Sequence, residues 1–305
     1  MKMKFINLYR LLILSILLSA CQTTIPAKSS QKTIVVTYSI LGSIVKDLVS
    51  DKAIVIVSMP NGQDPHEWEP SAKDIETLTK ADMIVQNGLG LEGGMEKALA
   101  QAKEAGVKFF TASDHITVRH VGRGEGIPSG DPDQAVGAED PHLWMDPVDM
   151  KNIVDALAAQ IKIDLGIDLS DRAKDLDSRL DSLNQEVINA VNTLSEDNRK
   201  LVTGHESMGY FAERYHFKLV GAIIPSITSQ AEVSASDLAA LKKLITDNQV
   251  KAIFTELGTS ATVTDAIGKE TGVKVIELTT HSLPSDDSYF TFMSNLTKVI
   301  VDGLK

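Results

Sequence analysis

The sequence predicts an α/β protein of two lobes, each a parallel sheet flanked by helices, with one long connecting helix between them. Three observations carry this. From Thr33 onward, short β-branched runs alternate with stretches of helical spacing, and parallel strands need helical crossovers of this kind. The alternation occurs twice, over residues 33–165 and again over 198–305. Residues 166–197, between them, hold the longest uninterrupted helical periodicity, and a chain of 305 residues is long enough for two cores.

In the first half, strands are expected at Thr33–Tyr38, Ala53–Met59, Asp82–Gln86 and Val107–Thr111. Helices fall between them at Ile40–Val49, Ser71–Lys80 and Glu92–Ala105. Residues Ala112 to Pro141, rich in Gly, Asp and Pro, interrupt the rhythm as a loop of the length usually reserved for function. Asp146-Pro147 then opens a helix to about Leu165, proline being tolerated in a first turn. In the connecting segment Ser170 is the expected N-cap, and Leu176, Leu180, Leu183, Val187, Val191 and Leu194 recur in steps of three and four. No Gly or Pro interrupts Asp171–Ser195, so this helix should run roughly 39 Å at about 1.5 Å per residue. The second half has strands at Lys200–Thr203, Phe217–Ile224, Val250–Thr255 and Val273–Leu278. Its helices are Glu206–Tyr215, Ala235–Asn248, Thr262–Thr271 and Tyr289–Leu304.

Residues 1–20 belong to targeting. Lys2, Lys4 and Arg10 flank and precede Leu11–Ala20, an apolar run too short to span a bilayer, as in a signal peptide. The run ends Leu18-Ser19-Ala20-Cys21, which resembles the bacterial lipobox cleaved before its cysteine, and Cys21 is the only cysteine. Lipidation there would anchor the mature chain to the extracytoplasmic side of a membrane, with residues 21–32 as a polar tether. A single cysteine also excludes an internal disulfide. Losing the three leader cations takes the formal charge from −11 to −14. That balance, without a basic stripe, argues against a nucleic-acid partner and is compatible with a cationic ligand.

The chemistry concentrates in a motif written twice. Asp64-Pro65-His66-Glu67-Trp68-Glu69-Pro70 and Asp140-Pro141-His142-Leu143-Trp144-Met145-Asp146-Pro147 both read D-P-H-x-W and both close on proline. They contain the chain's two tryptophans. Proline stiffens the loop carrying each imidazole, and an indole alongside can shield a site from water. Read alone, the copies could equally be two turns whose histidines cap backbone. Of seven histidines, His66, His142, His205 and His281 lie beyond the carboxyl ends of expected strands, where open α/β sheets bind ligands. Two come from each lobe, so facing one another across a cleft they would offer one cation four nitrogens, a count zinc accepts. His216 ends a helix, where a positive group complements the dipole. His115 and His120 sit in the long loop, either exposed or as a transient metal-capture site.

Taken together, the lipobox, D-P-H-E-W-E-P, D-P-H-L-W-M-D-P, a strand leading into T-G-H-E-S-M-G-Y-F, and the long mid-chain helix resemble the metal-specific solute-binding lipoproteins of bacterial ABC importers. The resemblance runs from Thr33 to the C-terminus. It implies two lobes on a rigid helix with the metal between them, and a permease and ATPase as partners. By position, His66 and His142 match the first-lobe ligands and His205 the first ligand of the second lobe. The fourth position departs: where the family commonly carries aspartate, this chain reads Glu277-Leu278-Thr279-Thr280-His281. His281 aligns there, with Asp286, Asp287 or Glu256 as the oxygen alternatives if the register slips. A histidine-rich insertion is missing. Imidazole donors favour zinc over manganese or iron, so zinc is the expected cargo, and a monomer the expected state.

Two readings of other classes stay open. A zinc-dependent hydrolase could use Glu67 or Glu206 as base, but no H-E-x-x-H helix is present and a fourth histidine would close the coordination shell. A metal-stabilised surface adhesin of the same fold is the other. No catalytic residue is expected.

Overall fold

The computed structural model describes residues 31–122, 125 and 136–305. The leader, Cys21 and the tether as far as residue 30 lie outside the described residues. Strands β1 (Thr33–Val36), β2 (Ile54–Val57), β3 (Met83–Gln86) and β4 (Lys108–Thr111) form an all-parallel sheet in the order β2-β1-β3-β4. Central strands β1 and β3 are apolar on both faces, as a sheet covered twice requires. Ile34, Val36, Met83 and Val85 face the main core with helix α1 (Ser39–Val49). Their neighbours Val35 and Ile84 face a second cluster built by α2 (Ala72–Thr79) and α3 (Glu96–Glu104). Edge strand β2 leaves Ile54 and Ile56 exposed.

Helix α4 (Pro147–Leu165) starts under an Asp146 cap, closes on Gly166 at φ 72°, and turns back into α5 (Ser170–Val191). The connecting helix is shorter than expected. Ser170 is its first residue rather than its cap, because the Asp168 carboxylate accepts from both the Ser170 N–H (3.0 Å) and its hydroxyl (2.6 Å). At the other end the chain leaves the helix after Val191, so its 22 residues span roughly 33 Å at about 1.5 Å each.

The second half pairs β5 (Lys200–Thr203) with β6 (Lys218–Ala222), and β7 (Ala252–Thr255) with β8 (Lys274–Glu277), both parallel, with β5 lying beside β7. Helices α6 (Gly209–Tyr215), α7 (Ala235–Asp247), α8 (Ala261–Thr271) and α9 (Tyr289–Leu304) complete it. Two helices begin later than their periodicity suggests, for one reason. Glu92 turns its buried carboxylate to the N–H groups of Asn87 and Gly88 and the Thr37 hydroxyl, so α3 waits until Glu96. His205, Glu206 and Ser207 are likewise committed to loop hydrogen bonds, so α6 waits until Gly209.

The two halves share one core. Leu201 and Phe254 join Ile34, Val36 and Met83 in a single buried cluster with the α5 stripe Leu176, Leu180, Leu183, Val187 and Val191. Helix α5 packs against α1 of the first half and α9 of the second, and Lys32–Lys305 forms one compact unit.

Candidate metal centre

Three of the four histidines come after a strand end, and His142 comes well beyond β4, just before a helical turn. His66 follows β2, His142 precedes the 3-10 turn Leu143–Met145, His205 follows β5, and His281 follows β8. In both D-P-H copies the aspartate accepts from the backbone N–H of the histidine two residues on. Asp64 Oδ1 takes His66 N at 2.9 Å and Asp140 Oδ1 takes His142 N at 3.0 Å. This is the local turn that aspartate forms with its own backbone, and it aims each imidazole inward. The T-G-H segment needs its glycine: a Cβ on Gly204 would sit 2.3 Å from Thr259 Oγ1 and 2.4 Å from Glu256 Cγ.

All four rings converge, each offering one nitrogen within 4.8 Å of the others, and all four are buried. His142 Nε2 lies 3.2 Å from His66 Nε2 and 3.1 Å from His205 Nε2. A tetrahedron with metal–nitrogen arms of about 2.0–2.1 Å has edges of about 3.3–3.4 Å, so the spacing fits a cation between the rings. His281 Nε2 is buried and has no hydrogen-bond partner among the described residues. The rings of His205 and His281 stack at 5.1 Å between centroids. Trp144 covers the site from one side, edge-on to His142 at 5.3 Å and to His281 at 5.5 Å. Its Nε1–H donates to the Thr280 carbonyl at 3.0 Å. Trp68, in the other copy, packs half-buried against the first-half core instead.

Electrostatics favour the neutral, cation-accepting form in three of these rings. Burial, reinforced by the neighbouring imidazoles, holds His66 well below its ordinary pKa. His281 is held well below as well, by burial first and by His205 and His142, against Glu256. Burial also lowers His142, against the pull of Asp140. In His205 burial is outweighed by Glu256, and the net shift is upward. Two buried carboxylates stand behind the rings: Asp140 Oδ1 at 2.8 Å from His142 Nδ1 and Glu256 Oε1 at 3.3 Å from His205 Nδ1. A carboxylate can only accept, so it keeps the ring proton on Nδ1 and leaves Nε2 bare. Four neutral imidazoles supply no charge, and these two carboxylates would balance a dication. Asp140 is held in turn by the buried Arg119 at 3.1 Å, while the Tyr210 hydroxyl donates to the Asp140 carbonyl at 3.1 Å. A Cβ on Gly209 would lie 2.1 Å from Asp140 Oδ2.

The other candidates lie elsewhere. Glu256 sits behind the rings rather than at their centre. Asp286 and Asp287 are exposed, and Asp286 accepts from Ser288 N and the Thr291 hydroxyl at the start of α9. Glu67 is exposed. Glu206 is buried, and burial raises its pKa to about 7, helped by Glu125. His216 is exposed and caps α6 in the left-handed conformation at φ 58°. His115 stacks on Phe110 at 4.6 Å, and His120 bridges to Glu139, both exposed. What sequence reasoning passed over was the carboxylate layer. The aspartate of each D-P-H copy was in plain view, but Glu256 and Thr280 belong to no motif.

The family model described as ZnuA, zinc-uptake complex component A, periplasmic, matches residues 34–303. The chain belongs to that family. Its relatives include the manganese ABC transporter substrate-binding lipoprotein PsaA of Streptococcus pneumoniae, 28% identical over 303 residues and covering 94% of each chain. The iron ABC transporter substrate-binding lipoprotein MtsA of Streptococcus pyogenes serotype M1 is 28% identical over 300 residues, covering 93% of each. Among solved structures, the periplasmic zinc-binding protein TroA of Treponema pallidum superposes with a TM-score of 0.74 at 24% identity. That match covers 90% of this chain and 99% of the other, and it supports the two-lobed α/β fold. These three similar proteins carry three different metals in their names. Membership in the ZnuA family therefore establishes a metal-binding component of an ABC transporter and leaves the metal to the site itself.

Proposed function

We propose that the protein captures zinc outside the cytoplasm and hands it to an ABC permease and its ATPase. The observation that carries this reading is the donor set: His66, His142, His205 and His281 are buried with nitrogens within 4.8 Å of one another. Imidazole suits zinc, whereas manganese favours oxygen donors. Four such ligands fill a tetrahedral shell and leave no position for the water a zinc hydrolase would activate. The second reading, manganese or iron, draws its support from the names of PsaA and MtsA.

His281 decides between them, because the sequence resemblance aligns it with a position where such proteins commonly have aspartate. Competitive titration of the wild type, His281→Asp and His281→Ala with zinc and manganese is the test. His281→Asp should keep zinc, since three imidazoles and a carboxylate also satisfy its geometry, and should improve manganese relative to zinc by about tenfold. His281→Ala should weaken both. Identical zinc affinity and an identical zinc-to-manganese ratio in all three proteins would remove His281 from the ligand set.

The division into a first lobe (33–165), a connecting segment (166–197) and a second lobe (198–305) belongs to the same proposal, as does a monomeric state. So does a lipid anchor at Cys21, which the lipoprotein names of the relatives support. Cys21→Ser should abolish acylation and release the protein from membranes. A wild-type protein that fractionates as soluble, or a mature chain beginning at another residue, would count against the anchor.

A further inference from the structure

We propose that Glu256 is a positioning residue that sets the ligating nitrogen of both second-half histidines, His205 directly and His281 through the Thr280 hydroxyl. The inference rests on the four-histidine reading. Glu256 is buried and ringed by donors. Oε1 accepts from the His205 backbone N–H at 3.0 Å and lies 3.0 Å from the Ser207 hydroxyl, and Oε2 accepts from the Thr280 hydroxyl at 2.5 Å. A hydroxyl has one proton. Thr280 gives its proton to Glu256, so toward His281 Nδ1, 2.8 Å away, its oxygen can only accept. His281 therefore keeps its own proton on Nδ1 and presents a bare Nε2, the buried atom without a partner among the described residues. Glu256 Oε1 acts on His205 Nδ1 in the same sense at 3.3 Å. One carboxylate thus directs two lone pairs to the centre.

The geometry around the relay holds it in place. Gly204 leaves Glu256 its space, and the Trp144 indole fixes the Thr280 backbone through its carbonyl. An aspartate at position 281 would have no tautomer to set; a histidine has one, and the Thr280 hydroxyl supplies the constraint.

Substituting Glu256 by glutamine should reverse the relay. The amide NH₂ donates to the Thr280 oxygen, the Thr280 proton turns to His281 Nδ1, and the ring proton moves to Nε2, inside the site. Nitrogen-15 NMR of the metal-free mature chain should report Nδ1–H tautomers for His205 and His281 in the wild type and Nε2–H at His281 in Glu256→Gln. Zinc affinity, read by competition with a chelator, should fall about 10–100-fold in Glu256→Gln, as for other groups that orient a ligand. Thr280→Ser keeps the hydroxyl and should stay within about twofold of the wild type, while Thr280→Val should lose about tenfold. Should Glu256→Gln not fold, the Thr280 pair carries the test alone. A wild-type His281 protonated on Nε2, or a Thr280→Val protein that binds zinc like the wild type, overturns the relay. If the relay fails while His281→Ala still loses zinc, the four-histidine reading stands. If His281→Ala leaves zinc binding untouched, that reading and the relay both fall.

Discussion

Replacing His142 with alanine should weaken zinc binding roughly 10²–10³-fold. Four-ligand zinc sites bind with apparent free energies of about 10–16 kcal/mol, so one ligand's share is about 2.5–4 kcal/mol. His142 is the ring to choose because its Nε2 is the one within 3.2 Å of two of the other converging ring nitrogens, and because it is fully buried. Water entering the vacated position would replace a donor that Asp140 orients with one that nothing orients. Competition against a chelating dye measures the loss. His216→Ala, on the exposed end of α6, is the control and should bind as the wild type does. A loss under about tenfold at His142 would be too small for a ligand and would mean that the cation sits elsewhere.

The second large effect is on stability. Trp144→Ala should destabilise the metal-free protein by about 3–5 kcal/mol, the usual cost of deleting a large buried aromatic ring. That is a substantial part of the roughly 5–15 kcal/mol that holds a folded domain together. Trp144 is completely buried, packs 5.3 Å from Tyr38, and links the halves through its bond to the Thr280 carbonyl. Trp144→Phe keeps a six-membered ring and loses the rest of the indole together with that bond, so it should cost less than alanine but still about 1–3 kcal/mol, for a carbonyl left without a donor and a smaller ring in the same space. Denaturant unfolding of the three metal-free proteins gives the comparison. An alanine variant no less stable than the phenylalanine one would show that the indole fills no part of the core.

Much of the fold was legible because its elements are local. The β1 and β3 runs each hold three consecutive apolar residues, Ile34–Val36 and Met83–Val85, and the α5 stripe recurs in threes and fours. Such periods report burial without any partner being known. Boundaries were less legible wherever a side chain recruits backbone from another element. Glu92 delays α3, Asp168 binds Ser170 and makes it the first residue of α5 rather than its cap, and the loop bonds around His205 delay α6. The candidate site was legible to the same extent. Its four histidines follow strands, and the carboxyl ends of parallel strands lie on one side of a sheet.

By itself, then, the sequence determined the alternation of strands and helices, the repeated D-P-H-x-W turn, and the placement of His66, His142, His205 and His281 after strands in chain order. Only the tertiary structure decided what surrounds those histidines. It joined the halves in one core, brought Trp144 across 136 residues to the Thr280 carbonyl, and set Glu256 behind His205 and, through Thr280, behind His281. The reason is range. A turn or a helix is settled by interactions a few residues apart, whereas a buried carboxylate finds its donors only where strands distant in sequence end side by side.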